Sequence, residues 1–121
     1  QLNLILFIMS LAEAVEKASN EFRKAQKELE TLIQGKQQYL TQKHENDMVL
    51  QELKLLGDDA QVFKLVGPAM VKKDTKESIT NVQTRLDLIN RELERIEKRQ
   101  GDVEKNVREA KDKVMQLQQI A

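Results

Sequence analysis

Apolar side chains recur along the chain at alternating intervals of four and three residues, in two long tracts. Ten of 13 repeat positions in the first tract and twelve of 13 in the second are apolar or aromatic. Mostly charged and amide residues stand between them. A repeat of 3.5 residues held over six heptads is typical of α-helical coiled coils. The pattern therefore predicts two long helices that pack along these repeat positions, called seam positions below.

The seam positions of the first tract are Leu11, Val15, Ala18, Phe22, Ala25, Leu29, Leu32, Lys36, Tyr39, Lys43, Asn46, Leu50 and Leu53. Those of the second tract are Ile79, Val82, Leu86, Ile89, Leu93, Ile96, Gln100, Val103, Val107, Ala110, Val114, Leu117 and Ala121.

The two tracts have the same length, 43 residues each, or about 64 Å of helix. Equal lengths and a short connection predict an antiparallel pair. With Leu53 opposite Ile79, the position numbers of facing residues sum to 132. Gly35 and Gly101 interrupt the tracts at nearby levels, and each costs about 1 kcal/mol relative to alanine. Two interpretations stay open: a local loss of stability, or a bending point.

The segment between the tracts predicts a single β-hairpin. Residues 62–66 (VFKLV) and 69–73 (AMVKK) flank Gly67-Pro68. Valine and phenylalanine favour strands, and the glycine followed by the proline suits a two-residue turn. The hairpin then pairs Val66 with Ala69.

Neither face of this hairpin is fully polar, and an isolated two-stranded sheet is marginal in water. We therefore expect hairpins from several subunits to form one shared sheet or barrel. The residues expected to carry this oligomerisation are Val62, Phe63, Leu65, Val66, Met70 and Val71.

These features give a mainly α fold: a long antiparallel two-helix coiled coil joined by a single β-hairpin that contributes to an inter-subunit β-barrel. We divide the chain into an apolar N-terminal segment (1–9), coiled-coil helix 1 (10–56), the β-hairpin oligomerisation segment (57–74) and coiled-coil helix 2 (75–121). Asp74 is the expected N-cap of the second helix.

The N-terminal segment contains an unbroken apolar run from Leu4 to Met9. Six residues are too few to cross a bilayer, and the flanks do not fit a secretory signal. Two interpretations of residues 1–8 stay open: a native apolar tip, or a stretch upstream of a start at Met9.

Composition excludes several functions. The 20 basic and 20 acidic residues balance, which disfavours binding to nucleic acid, and with no cysteine there is no thiol chemistry. His44 and Asp47 share a helix face, but two ligands do not make a metal site. With a single histidine and four scattered glycines, we expect neither an enzyme nor a cofactor.

The stretch from Glu45 to Arg99 closely resembles the prefoldin family in its β type, most of all the eukaryotic subunit-six branch. The most telling motif is Asp-Asp-Ala-x-Val-Phe-Lys-x-x-Gly from Asp58 to Gly67. The resemblance implies a cytoplasmic heterohexamer of two α-type and four β-type subunits. It also implies capture of unfolded proteins such as actin and tubulin without nucleotide, and their delivery to the group II chaperonin.

A chaperone of this kind must present apolar side chains to unfolded proteins. We expect such a client-binding tip where the two chain ends meet, consisting of Leu11, Val15, Met115, Leu117 and Ile120, with Leu4 to Met9 added if native. Val15 and Leu117 could instead complete the seam, whereas Met115 and Ile120 lie off it.

Two other functions compete with this one. A structural subunit that tethers partner proteins would have polar, fully paired tips. A membrane-surface helix driven by Leu4 to Phe7 is disfavoured, because the flanks lack the lysine and arginine that bind anionic lipid.

Overall fold

The computed structural model describes the chain over residues 1–56, 61–66 and 69–120, and its side chains over residues 1–56 and 74–120. The element order is α1 (Leu2–Leu55), β1 (Gln61–Val66), β2 (Ala69–Asp74) and α2 (Thr75–Ile120). Two long helices therefore account for most of the chain, as the heptad pattern predicts.

Helix α1 begins at Leu2, whereas the sequence places the start of the first coiled-coil helix at residue 10. Residues 2–9 consist mostly of leucine, isoleucine and methionine and contain no glycine or proline that would end a helix. The apolar N-terminal segment is therefore part of the same helix and not a separate element.

The chain divides into two compact units. Unit 1 contains Gln1–Gly35 and Ile96–Ala121, and unit 2 contains residues 36–95. Each unit holds one part of α1 and one part of α2, and unit 2 also holds both strands. Both helices continue through their glycines without a break.

The seam positions form the packing face of both helices. No described seam position is exposed: each is buried or half-buried. The buried apolar residues, all at seam positions, are Ala18, Leu53, Val82, Leu86, Ile89, Leu93, Ile96 and Val103. This burial confirms the 3.5-residue repeat as the pattern by which the helices pack.

Contacts inside unit 2 set the direction and register of its helix segments. Leu53 forms a core cluster with Val82 and Leu86, and farther along the pair Arg85 donates to Asn46 Oδ1 at 3.4 Å. Lower numbers on α1 thus meet higher numbers on α2, so the segments run antiparallel. The expected register places Asn46 opposite Leu86. The observed partner, Arg85, is the residue next to Leu86, so the register agrees to within one residue.

Unit 1 shows the same arrangement in its own contacts. A Cβ placed on Gly35 would lie 3.9 Å from Ile96 Cδ1, and the predicted partner of Ile96 is the adjacent Lys36. Nearer the chain ends, Arg99 Nε donates to Glu28 Oε1 at 2.9 Å. This pair is about half exposed on both sides, so it orients the helices more than it stabilises them.

The two strands pair antiparallel, with Val66 opposite Ala69 and Gln61 opposite Asp74. The first of these pairs is the register that the sequence predicts. The expected turn at Gly67-Pro68 and the expected helix stop at residues 57–59 lie outside the described residues.

The start of α2 is capped as predicted, since the backbone N–H of Lys76 donates to Asp74 Oδ1 at 3.2 Å. Because β2 ends at Asp74 and α2 begins at Thr75, strand and helix follow each other directly. Thr75 and Ser78 are buried on this first turn, so the beginning of α2 is packed and not frayed.

Candidate functional site

The residues expected at the client-binding tip fall into two classes of exposure, both within unit 1. Leu11, Val15 and Leu117 are half-buried seam residues. Met115 is 50% exposed and Ile120 is 62% exposed. The off-seam residues therefore offer apolar surface, while the seam residues are shared between helix packing and the surface.

Residues 2–9 add the largest apolar surface of the described part of unit 1. Their seven large apolar side chains are between 52% and 70% exposed, with Asn3 as the single polar residue among them. Helices that are apolar all round are normally buried. This helical segment therefore has the composition of a core element and the exposure of a surface one.

Exposed large apolar side chains are not spread evenly along the described helices. None lies between residues 10 and 32 of α1 or between residues 89 and 114 of α2. One group stands at residues 2–9, Met115 and Ile120. The second lies between Ile33 and Leu55 of α1, at Leu56 directly after it, and at Leu88 of α2. Within the described helices, exposed large apolar side chains therefore concentrate in these two regions.

A shallow groove of about 340 Å³ lies between the helices of unit 1. Its lining includes Ala25 and Ala110 and the charged residues Glu28, Glu109 and Lys113. The small seam residues allow the helices to approach closely here, and the charged side chains around them disfavour apolar ligands. The groove therefore does not extend the apolar tip.

The residues expected in the oligomerisation hairpin are placed by their backbone alone. Val62, Phe63, Leu65 and Val66 belong to β1, and Met70 and Val71 belong to β2. Their side chains lie outside the described part of the structure. In the sheet that the structure describes, β1 and β2 are the two strands, so each has one edge without a neighbouring strand.

Electrostatics do not mark out a reactive group at the tip. Among the described side chains, the one clearly shifted pKa is that of Arg95 in unit 2. Its hydrogen bonds with Glu92 and the charge of that carboxylate raise the pKa above the ordinary arginine value. This is a surface ion pair between neighbouring helical turns, with no link to the tip.

The histidine considered as a metal ligand lies on the surface. His44 is exposed and Asp47 is half-buried. Within the described residues, no three side chains of histidine, cysteine, aspartate or glutamate are grouped so that they could hold a metal ion. None of the helices described is long and apolar enough to span a membrane.

Comparison with known proteins places these features in context. The chain matches a family described as "Prefoldin subunit" over residues 16–121. Prefoldin subunit 6 of Arabidopsis thaliana is 37% identical over 112 residues, which cover 93% of this chain and 87% of the relative. Prefoldin subunit 6 of Homo sapiens is 34% identical over 113 residues, which cover 90% of this chain and 88% of the relative.

A solved structure shares the fold. The crystal structure of the prefoldin beta subunit from Thermococcus strain KS-1 is similar with a TM-score of 0.76 and 22% sequence identity. The similarity covers 84% of this chain and 90% of that chain. Residues 2–9 lie outside the family match, which begins at residue 16.

Proposed function

The chain belongs to the prefoldin family, and from this premise we propose that it is a subunit of a hexameric, ATP-independent co-chaperone in the cytosol. The hexamer contains two α-type and four β-type subunits, and this chain is one of the β type. Its strands join those of its neighbours in a shared β-barrel. It captures unfolded proteins, among them actin and tubulin, and delivers them to the group II chaperonin.

One observation supports client capture above the others: apolar side chains at the chain ends in unit 1 stay exposed in a folded chain. Met115, Ile120 and the seven large apolar side chains of residues 2–9 are each at least half exposed, and no acidic or basic side chain occurs before Glu13. An unfolded protein exposes apolar segments of its own. Contact between the two removes both surfaces from water, which is favourable in proportion to the buried area.

Binding at one such tip is weak, and the proposed mechanism uses this. Completely burying a large apolar side chain contributes about 1.5–3 kcal/mol, and the tip residues are already partly covered. Several tips that hold one client raise its effective concentration and strengthen binding by a factor of roughly 100 to 10,000. Each contact can nevertheless open separately, so the client can be released without nucleotide. Methionine suits such variable contacts because its side chain adapts its shape.

The decisive experiment removes the tip and measures client protection. Residues 1–12 and 115–121 are deleted, and the chain is assembled with its partner prefoldin subunits. Light scattering then follows the aggregation of actin diluted from denaturant, with and without the complex. We expect the truncated complex to assemble normally and to suppress aggregation much less than the intact one. Full suppression by the truncated complex would refute the proposed tip.

A matched pair of substitutions separates the tip from exposed apolar residues in general. Ile120→Lys changes a tip residue that is 62% exposed, and Leu88→Lys changes a residue of unit 2 that is 55% exposed. We expect only the first to weaken suppression of aggregation. If the intact complex assembles but does not protect denatured actin at all, the competing function, a tether for folded partners, is supported instead.

A further inference from the structure

Helix α1 carries a second face in unit 2, in addition to the seam. Large apolar side chains at Leu40, Met48 and Leu55 are 41%, 48% and 86% exposed. His44 and Gln51 are exposed between them. These five residues, called the outer stripe below, follow one another at intervals of four, four, three and four residues. Such spacing keeps them on one side of an α-helix.

The outer stripe is distinct from the seam by position and by chemistry. In this part of α1 the seam runs through Tyr39, Lys43, Asn46, Leu50 and Leu53, which are buried or half-buried. The stripe lies roughly a third of a turn around the helix from them. Its five members include no lysine, arginine, aspartate or glutamate, and the charged residue beside them, Asp47, is half-buried.

A single exposed leucine is normal on a protein surface, but the outer stripe is an ordered set. Between residues 10 and 32 the same helix exposes no large apolar side chain, whereas from Ile33 to Leu55 it exposes five, three of them in the stripe. The stripe ends at Leu55, the last residue of α1, a short distance along the chain from the start of β1 at Gln61. The stripe therefore ends close in sequence to the strands.

The strands indicate what covers this surface. In the described sheet, β1 and β2 each have one edge without a neighbour, and such edges pair readily with strands of other chains. In this chain β2 passes into α2 with no intervening residue. If the β2 of a neighbouring subunit built in the same way pairs antiparallel with β1, the α2 that follows it starts at the end of the sheet where β1 begins.

From this arrangement we propose that the outer stripe is an assembly surface that packs against a helix of the neighbouring prefoldin subunit. This inference rests on the proposed assembly and specifies its contacts: the interface continues from the strands onto α1. The partner helix is expected to present apolar and uncharged side chains at helical spacing, which would interlock with Leu40, Met48 and Leu55. Charged residues on either partner face would oppose the contact, because they would lose water without gaining a counter-ion.

Site-specific cross-linking in the assembled complex tests this contact directly. A photo-reactive amino acid replaces Met48 in one sample and Glu45 in the other, and both chains are assembled with their partner prefoldin subunits. Glu45 is also exposed, but it lies on a different side of the helix. We expect position 48 to cross-link to a neighbouring subunit in high yield, and position 45 to give at least fivefold less of that product.

A pair of adjacent substitutions tests the energetic importance of the stripe. Met48 is 48% exposed and Val49 is 44% exposed, yet only Met48 belongs to the stripe. We expect Met48→Glu to raise the concentration at which half of the complex assembles by at least tenfold, and Val49→Glu by less than threefold. Sedimentation measures the assembly, and circular dichroism of each chain verifies that its helices are intact.

The outcomes distinguish this inference from the proposed function. A complex that assembles but gives no inter-subunit cross-link from position 48, or that tolerates Met48→Glu as well as Val49→Glu, overturns the stripe and leaves client capture standing. A cross-link to denatured actin instead of a subunit also overturns it. A complex that forms the cross-link but does not protect actin refutes client capture alone. A chain that joins no complex with prefoldin subunits refutes both.

Discussion

Two leucines that stand two positions apart on α2 allow a sharp test of the helix packing. Leu86 is 8% exposed and belongs to the core cluster of unit 2, whereas Leu88 is 55% exposed. Both are changed to alanine, so the change in intrinsic helix propensity is the same in the two variants. Any difference between them therefore reports burial against α1 and not the strength of the helix itself.

The size of the effect follows from how much side chain is lost from the core. Leucine has three more carbons than alanine, each worth about 0.8 kcal/mol when buried, and the cavity left behind adds to the cost. We expect Leu86→Ala to lower the free energy of unfolding by about 3 kcal/mol. Leu88 is less than half covered, so we expect Leu88→Ala to cost at most about 1 kcal/mol. The difference of about 2 kcal/mol changes the folding equilibrium roughly 30-fold.

Chemical denaturation of the full chain, followed by the helical circular dichroism signal, measures both variants against the unmodified chain. The midpoints are compared only if the slopes agree, because a changed slope means a changed denatured state or a transition that is not two-state. Equal losses for the two variants would contradict the packing face assigned to the seam. A larger loss for Leu88→Ala would mean that the register of α2 is wrong.

Two further predictions concern local features of the helices. Gly35→Ala and Gly101→Ala should each stabilise the chain by about 0.5–1 kcal/mol in the same denaturation assay, because alanine is the better helix former. A Cβ added at Gly35 would lie 3.9 Å from Ile96 Cδ1, an ordinary contact, and a Cβ added at Gly101 would have no neighbour within 4 Å. A loss of stability in either variant would mean that the helix needs the glycine. Asp74→Ala should lower the free energy of unfolding by about 1 kcal/mol, because it removes the cap on the Lys76 N–H. Asp74→Asn keeps a capping oxygen and should lose much less stability. Equal losses in these two variants would assign the effect to the charge of Asp74 instead of capping.

The sequence alone predicts the helix packing well because the heptad repeat is long and regular. All eight buried apolar residues among the described side chains lie at positions counted from the spacing, including Ala18, whose size alone would not mark it as core. Even the polar seam residues Lys36 and Gln100 are half-buried, as their place in the repeat requires. The resemblance to β-type prefoldin, and to its subunit-six branch, is confirmed by the family match and by the relatives.

The surface is harder to predict because apolar residues off the seam have no single signature. The sequence does not indicate the start of α1 at Leu2, because an apolar run without a cap or a breaker does not mark where a helix begins. The outer stripe is hard to recognise in the sequence because the stronger seam pattern runs through the same part of α1. An interval pattern of four, four, three and four, checked for the absence of charge, would have revealed Leu40, Met48 and Leu55.

The client-binding role of the tip and the barrel role of the hairpin stay predictions. Exposure of Met115 and Ile120 gives the tip its physical basis, but affinity for an unfolded protein depends on a partner with its own surface. For the hairpin, the backbone register is described, and the side chains that would face other subunits are not. Both roles depend on molecules other than this chain, which is why no pattern within it determines them.

The open edges of the β1–β2 sheet also have a consequence for how the cell must supply this protein. A copy synthesised in excess of its companions keeps two rows of amide and carbonyl groups ready to bond with whatever extended polypeptide it meets. Surplus copies would thus be prone to clump with one another or to be degraded. If companion chains cover these edges as proposed, balanced production of all of them is the expected consequence of the twelve paired strand residues.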